Sequence, residues 1–145
     1  MHTNRKVAKT AILLSTGVAA LALGSAVDGS VSKTVVAKLK EKHGSGVSGS
    51  AQLTAARTGV RVVLRLSGPV KNNSPAHIHT GPCRREPTFA NPRIRSGLNS
   101  VVERKSVTTV TRTTLASLRK RSFSINVHDP GTYGVIACAD IPRAS

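Results

Sequence analysis

Hydrophobic and polar residues alternate with a period of two along most of the chain after residue 32, and turn residues interrupt the alternation at short intervals. The clearest run is residues 60–67 (VRVVLRLS), in which four aliphatic side chains share one face. Arg61 and Arg65 fall on the other face. Because successive strand side chains point to opposite faces, this run predicts an antiparallel sheet with one face packed on a core and one in water.

The same pattern predicts eight short strands, at residues 34–40, 47–55, 60–67, 76–80, 98–103, 107–113, 122–128 and 133–139. Residues 114–121 predict a helical turn, with Thr114 as its N-cap and with Leu115 and Leu118 facing inward. Residues 83–97 contain prolines and arginines without periodicity, and they are expected to form a loop. Short strands at even spacing, without a long helix, predict an all-β Greek-key sandwich or barrel.

The segment before residue 33 has the pattern of a secretory signal. Three basic residues precede a compact apolar run at residues 11–24, and small residues follow at Gly24, Ser25 and Ala26. The run has 14 residues, fewer than the roughly 20 that span a bilayer. We therefore expect a signal peptide at 1–26, a linker at 27–32, one domain at 33–142 and a tail at 143–145. The alternative is an uncleaved anchor; after cleavage no transmembrane span is expected, and the protein is expected to be secreted.

The charge predicts the class of partner. The chain has 22 Lys and Arg against 6 Asp and Glu, a formal net charge of +16, which attracts anions and anionic surfaces. Single-strand nucleic-acid binders stack bases on aromatic side chains. This chain has no Trp, one Tyr and two Phe, so a specific nucleic-acid partner is not expected, whereas anionic polymers of the cell envelope are.

The two cysteines, Cys83 and Cys138, are expected to form a disulfide, because an exported chain meets an oxidising environment. The bond would close a loop of some 55 residues and stabilise the fold by roughly 4 kcal/mol on the chain-entropy model. The alternative is a pair of thiolate metal ligands, but the two residues lack a short ligand spacing.

Three histidines are candidates for a metal site. In a strand His77 and His79 share a face while Ile78 packs into the opposite layer. His128 ends another predicted strand and completes the set. Neutral imidazoles suit copper and zinc, and copper(II) binds most tightly of the common divalent ions. The alternative is that these histidines are surface residues or hydrogen-bonded core residues.

The segments that carry these residues resemble the copper/zinc superoxide dismutases. Three meandering strands lead to AHIHTGPC, similar to the His-x-His strand that supplies two copper ligands in that family. INVH sits where the family has its last copper ligand, and GVIAC resembles its final strand with the second disulfide cysteine. AHIH, and INVH before a Pro-Gly turn, also resemble the CHRD (chordin-type) domain. The resemblance spans about residues 34–141 and implies a superoxide dismutase-like Greek-key fold, with copper held by His77, His79 and His128 and a Cys83–Cys138 disulfide.

The chain also departs from the dismutase pattern. That family has a bridging histidine and further zinc ligands in the loop after its first cysteine, whereas residues 84–121 contain no histidine and no aspartate. No zinc subsite is therefore expected, and a fourth copper ligand is missing. Val135 occupies the position of the family's anion-guiding arginine, so steering would pass to Arg84 or Arg85, unless both simply belong to a solvated loop. Asp129 and Asp140 are candidates for contacts behind the ligands.

These expectations favour a secreted domain that binds one copper ion through three histidines, with catalysis reduced or absent. The first alternative is an active copper-only superoxide dismutase, which would oxidise one superoxide to oxygen and reduce the next to peroxide. The second is a non-metal cationic module that adheres to anionic cell-envelope polymers, in which the histidines are structural.

Overall fold

The protein forms an all-β fold in the computed structural model, which describes residues 33–88 and 90–145. The expected signal peptide (1–26) and linker (27–32) lie outside the described residues. The elements are β1 (Thr34–Glu41), β2 (Ser48–Ala56), β3 (Gly59–Ser67), β4 (Ser74–Thr80), β5 (Ile94–Val101), β6 (Lys105–Thr111), α1 (Leu115–Lys120), β7 (Phe123–His128) and β8 (Val135–Asp140). The prediction of eight short strands and one helical turn is confirmed.

The strands form a nearly closed antiparallel barrel in the order β5-β4-β7-β8-β1-β2-β3-β6. β6 lies beside β3, so the chain crosses from β3 to β4 before it returns through β5, which is a Greek-key connection. The first and last strands of this order, β5 and β6, are joined by hydrogen bonds of Asn99 in β5. Its backbone N–H donates to Thr108 Oγ1 of β6 at 2.8 Å and its side-chain amide donates to Val107 O at 2.7 Å.

The core fills the inside of the barrel with aliphatic side chains from alternate strand positions. Those of β3 are Val60, Val62, Leu64 and Leu66, while Arg61 and Arg65 are exposed as the alternation predicts. In β4 the core residues are Ala76 and Ile78, which leaves the two histidines of this strand on its other face.

The helical turn packs against the barrel core. Thr114 is its N-cap, and its side chain accepts a hydrogen bond from the backbone N–H of Ser117 while the Ser117 hydroxyl bonds back to Thr114. Leu115 and Leu118 are buried in the core. The predicted cap and the two inward leucines are confirmed. No helix within residues 33–88 and 90–145 is both long and apolar enough to cross a membrane.

One strand begins earlier than the pattern predicts. The expected loop at 83–97 ends before Ile94, where β5 starts, because Gly97 pairs with His77 and Ile94 pairs with His79. Most of β5 is exposed, so its sequence shows no apolar alternation. The start of β5 is determined by its hydrogen bonds to β4. It therefore depends on the sequence of β4 and cannot be recognised from the sequence of β5 alone.

Candidate metal site

Two neighbouring strands of the barrel supply the three histidines. β4 carries His77 and His79 on one face, and β7, which pairs with it antiparallel, ends at His128. The ladder between β7 and β8 is irregular between Val127 and His128, a feature that re-aims a side chain at the end of a strand. His79 and His128 are buried, and His77 is partly buried.

The three imidazoles form a nearly equilateral triangle. Their ring centroids lie 5.5 Å apart for His77 and His79, 5.2 Å for His77 and His128, and 5.5 Å for His79 and His128. One nitrogen from each ring lies within 4.8 Å of the others, so the set is close enough to hold a metal ion. Nε2 of His79 and Nε2 of His128 are 3.4 Å apart. Two nitrogens at this separation could both bind one ion, because an imidazole nitrogen lies about 2 Å from a bound metal.

Backbone carbonyls fix two of the rings. Nδ1 of His79 lies 2.6 Å from the carbonyl oxygen of Pro92, and Nδ1 of His128 lies 2.9 Å from that of Tyr133. A carbonyl oxygen accepts only, so both Nδ1 atoms carry the proton and donate it. Both Nε2 atoms therefore present lone pairs to each other across 3.4 Å. This arrangement is electrostatically unfavourable until a cation lies between them.

The third ring presents an unsatisfied nitrogen. Nδ1 of His77 is buried and has no hydrogen-bond partner in the part of the chain that the structure describes. Buried polar atoms of native proteins are nearly always hydrogen-bonded, and an orphan calls for an explanation. A metal ion would supply one, because an unprotonated imidazole nitrogen without a hydrogen-bond partner is free to coordinate.

Electrostatics keep all three rings in the neutral form that metal ligands require. The pKa of His77 is lowered to about 4, first by burial and then by repulsion from His128 and His79. Burial also lowers the pKa of His79 and of His128, outweighing the hydrogen bonds to Pro92 and Tyr133 that raise them. At neutral pH no proton competes with a metal for this site.

These shifts predict a pH-dependent stability for the metal-free protein. The unfolded chain takes up protons below the usual histidine pKa of 6.5, whereas folded His77 stays neutral down to about pH 4. The unfolded state therefore binds more protons, and the free energy of unfolding should fall as the pH is lowered through this window. Urea unfolding at a series of pH values measures it. The His77→Gln variant should show a shallower fall, and an unchanged slope would contradict the assignment. The pKa of Asp129 is lowered to about 2, so this carboxylate affects the pH dependence of the unfolding free energy only below its ordinary pKa of 3.8.

The histidines open into a cavity of about 470 Å³ with largely apolar walls. Besides the three histidines, the described residues that line it are His43, Glu86, Pro87, Thr88, Pro92, Ile94, Thr132, Tyr133, Gly134 and Val135. Glu86 accepts from Lys42 Nζ at 2.6 Å and from His43 Nε2 at 2.7 Å. Burial raises the pKa of Glu86, but the bonds from Lys42 and His43 outweigh this and lower it. No Lys or Arg is among these described wall residues.

The disulfide prediction is confirmed. Cys83 and Cys138 are bonded, with their α-carbons 5.8 Å apart. The bond ties the start of the β4–β5 connection to β8, and Cys83 N–H also donates to Asp140 Oδ1 at 2.7 Å. Because this connection carries Pro92, the disulfide anchors the segment whose carbonyl orients His79.

The remaining predicted site residues do not line the cavity of the three histidines. Arg84 and Arg85 line a different depression, and their part in anion steering stays a prediction. Asp129 accepts from Lys71 and from the backbone of Gly131 and Thr132, and Asp140 accepts from Cys83. These carboxylates serve the turn after β7 and the disulfide loop. Contacts behind the imidazoles come from the carbonyls of Pro92 and Tyr133, which sequence patterns do not reveal because every residue has a carbonyl.

No protein-family model matches the chain, and no curated protein matches it. Membership of the superoxide dismutase-like or CHRD families therefore stays a prediction from the residues quoted above.

Proposed function

We propose that this protein is a secreted superoxide dismutase-like/CHRD domain that binds one copper ion through His77, His79 and His128, with catalysis reduced or absent. The observation that carries the proposal is the pair of Nε2 lone pairs held 3.4 Å apart, with both Nδ1 protons donated to carbonyls. The unpartnered Nδ1 of His77 supports a third ligand.

The donor set favours copper. Three neutral imidazoles are ligands of intermediate softness, and among common divalent ions copper(II) binds such sites most tightly. Bound copper would supply one-electron redox chemistry. The chain's own residues hold the ligand nitrogens in place, keep them unprotonated and shield the site with the apolar wall of Pro87, Ile94 and Val135. A separate zinc subsite is not expected, because the loop that carries zinc ligands in the dismutases has no histidine and no aspartate here.

The cavity supports reduced catalysis. An enzyme that consumes an anionic substrate gains from cationic groups at the mouth of its site. The acidic side chain in the described wall is Glu86, and its carboxylate is bound to the Lys42 ammonium and to the His43 ring. The large positive charge of the protein therefore attracts anions to the surface in general, without a dedicated guide to the histidines.

A copper(II) titration tests the binding. The purified, oxidised protein, without a polyhistidine tag, should show d–d absorption that saturates at a single equivalent of copper. His77→Ala, His79→Ala and His128→Ala should each abolish this tight site. The matched control is His43→Ala, which removes a histidine from the same cavity that is bound to Glu86, and it should retain the site. Absence of stoichiometric binding by the unmodified protein would leave only the structural role for the histidines.

The dismutase alternative is decided on the copper-loaded protein. Consumption of superoxide that slows as salt rises, and that is lost in His77→Ala, would establish an electrostatically guided enzyme. Stoichiometric copper binding with turnover no greater than that of His77→Ala supports the binding role proposed here.

A further inference from the structure

Two adjoining depressions near the disulfide carry a concentration of cationic side chains. The first is lined by Arg84, Arg85, Arg121 and Arg143. The second is lined by Lys38, Lys40 and Lys42 together with both cysteines. Asp140 lines both depressions, so they share a border. We call these seven cationic residues the basic band.

The fold brings the four arginines together from three separate segments. Arg84 and Arg85 follow Cys83, which is fixed by the disulfide and by its bond to Asp140. Arg121 precedes Ser122, whose carbonyl oxygen accepts a hydrogen bond from the backbone N–H of Gly81 at 2.9 Å. Arg143 lies in the tail, which Arg119 holds through its guanidinium bonds to Pro142 O and Arg143 O. Their backbones are thus anchored while their side chains extend into one depression.

Six of the seven cations of the band form no ion pair with a described residue, and the two carboxylates that line the same depressions are Glu41 and Asp140. The ion pairs among residues 33–88 and 90–145 join Lys42 to Glu86 and Lys71 to Asp129, and the His43 ring also bonds to Glu86. Within those residues no ion pair involves any of the four arginines, Lys38 or Lys40. Gathering like charges costs Coulomb energy, which a bound anion would offset. Guanidinium groups also match tetrahedral oxyanions, which they bind through two parallel hydrogen bonds.

We propose that the basic band binds a linear polyanion whose charges are phosphate or sulfate groups. Two depressions with a common border suit a chain of regularly spaced anions better than a single ion. Neither depression has an aromatic residue among its described lining, so the band offers no platform on which a nucleobase would stack. Tyr133 lines the histidine cavity instead. The proposal does not depend on copper.

Polyanion binding by matched charge variants tests the band. The band variant is Arg84→Gln, Arg85→Gln, Arg121→Gln and Arg143→Gln. The control removes the same charge from exposed positions on and beside the β3–β6 face, with Arg57→Gln, Arg61→Gln, Arg65→Gln and Lys105→Gln. Binding of fluorescent inorganic polyphosphate is measured across a salt series. The slope of log K against log salt is negative, and each lost phosphate contact reduces its magnitude by about 0.7. The band variant should therefore show a slope that is shallower by about 3 and an affinity that is at least about tenfold weaker.

The control variant should keep most of the affinity and slope. Equal loss in both variants would overturn the proposal, because net charge alone would then explain binding. Tighter binding of a mixed-sequence single-stranded oligonucleotide than of polyphosphate at equal charge would also overturn it. Dextran sulfate that binds as well as polyphosphate supports recognition of the shared oxyanion, and preference for polyphosphate assigns a phosphate chain. Should the band variant fail to fold, Lys38→Gln with Lys40→Gln provides the second test, with a smaller expected loss of slope.

Discussion

The Cys83→Ser, Cys138→Ser double variant is expected to lose about 4 kcal/mol of unfolding free energy. The disulfide joins residues 55 positions apart, and without it the unfolded chain regains the conformational freedom of that loop. Because a cross-linked unfolded chain also exposes less surface, the urea dependence of the unfolding free energy should become steeper in the variant. Equilibrium urea unfolding measures both quantities.

Reduction provides the matched control. A thiol reductant should destabilise the unmodified protein by a similar amount and leave the double variant unchanged. A loss well below this value with an unchanged urea dependence would contradict the unfolded-state explanation. Because the bond anchors the segment that carries Pro92, copper affinity should also weaken in the variant, through less firm orientation of His79.

Much of the barrel follows from its period-two pattern. β3 shows this most clearly, since Val60, Val62 and Leu64 are buried while Arg61 and Arg65 are exposed. β7 departs from the pattern because all six of its residues are buried, including Ser124 and Asn126. The outer face of β7 is covered as well as its inner face. Because Ser124 and Asn126 are polar, their residue types do not indicate that they are buried. β5 begins earlier than the pattern predicts for the converse reason, because an exposed strand needs no apolar face.

The histidines of the candidate site could be predicted from the sequence, but the contacts that orient their imidazole rings could not. His77 and His79 share a face because strand side chains alternate, which is a local property of the sequence. Their convergence with His128 depends on the pairing of β4 with β7 and on an irregular ladder step. The carbonyls of Pro92 and Tyr133, which decide which nitrogens remain free, come from two loops. Such contacts depend on the path of the backbone, and the residue types do not indicate them.

The Ile78→Ala variant is expected to lose about 2–5 kcal/mol of unfolding free energy while it keeps its copper site. Ile78 is fully buried in the barrel core, so truncation removes apolar contacts and leaves a cavity. The flanking histidines lie on the other face of β4, and the ladders with β5 and β7 hold that strand. Copper affinity of the folded variant, measured in the absence of denaturant, should therefore change by less than about tenfold, or 1.4 kcal/mol.

Two further variants separate stability from binding. Ile78→Val should cost only about 0.5–1.5 kcal/mol, in proportion to the smaller cavity. His77→Ala should show the opposite behaviour, with the tight copper site lost and the metal-free stability little changed, because the substitution removes a buried nitrogen that no described group satisfies. Loss of copper affinity in folded Ile78→Ala would mean that core packing, and not the strand ladder with its carbonyl contacts, positions the imidazoles. In that case the barrel interior and the metal site would form one cooperative unit, and no core residue of β4 could change without changing the affinity for the metal.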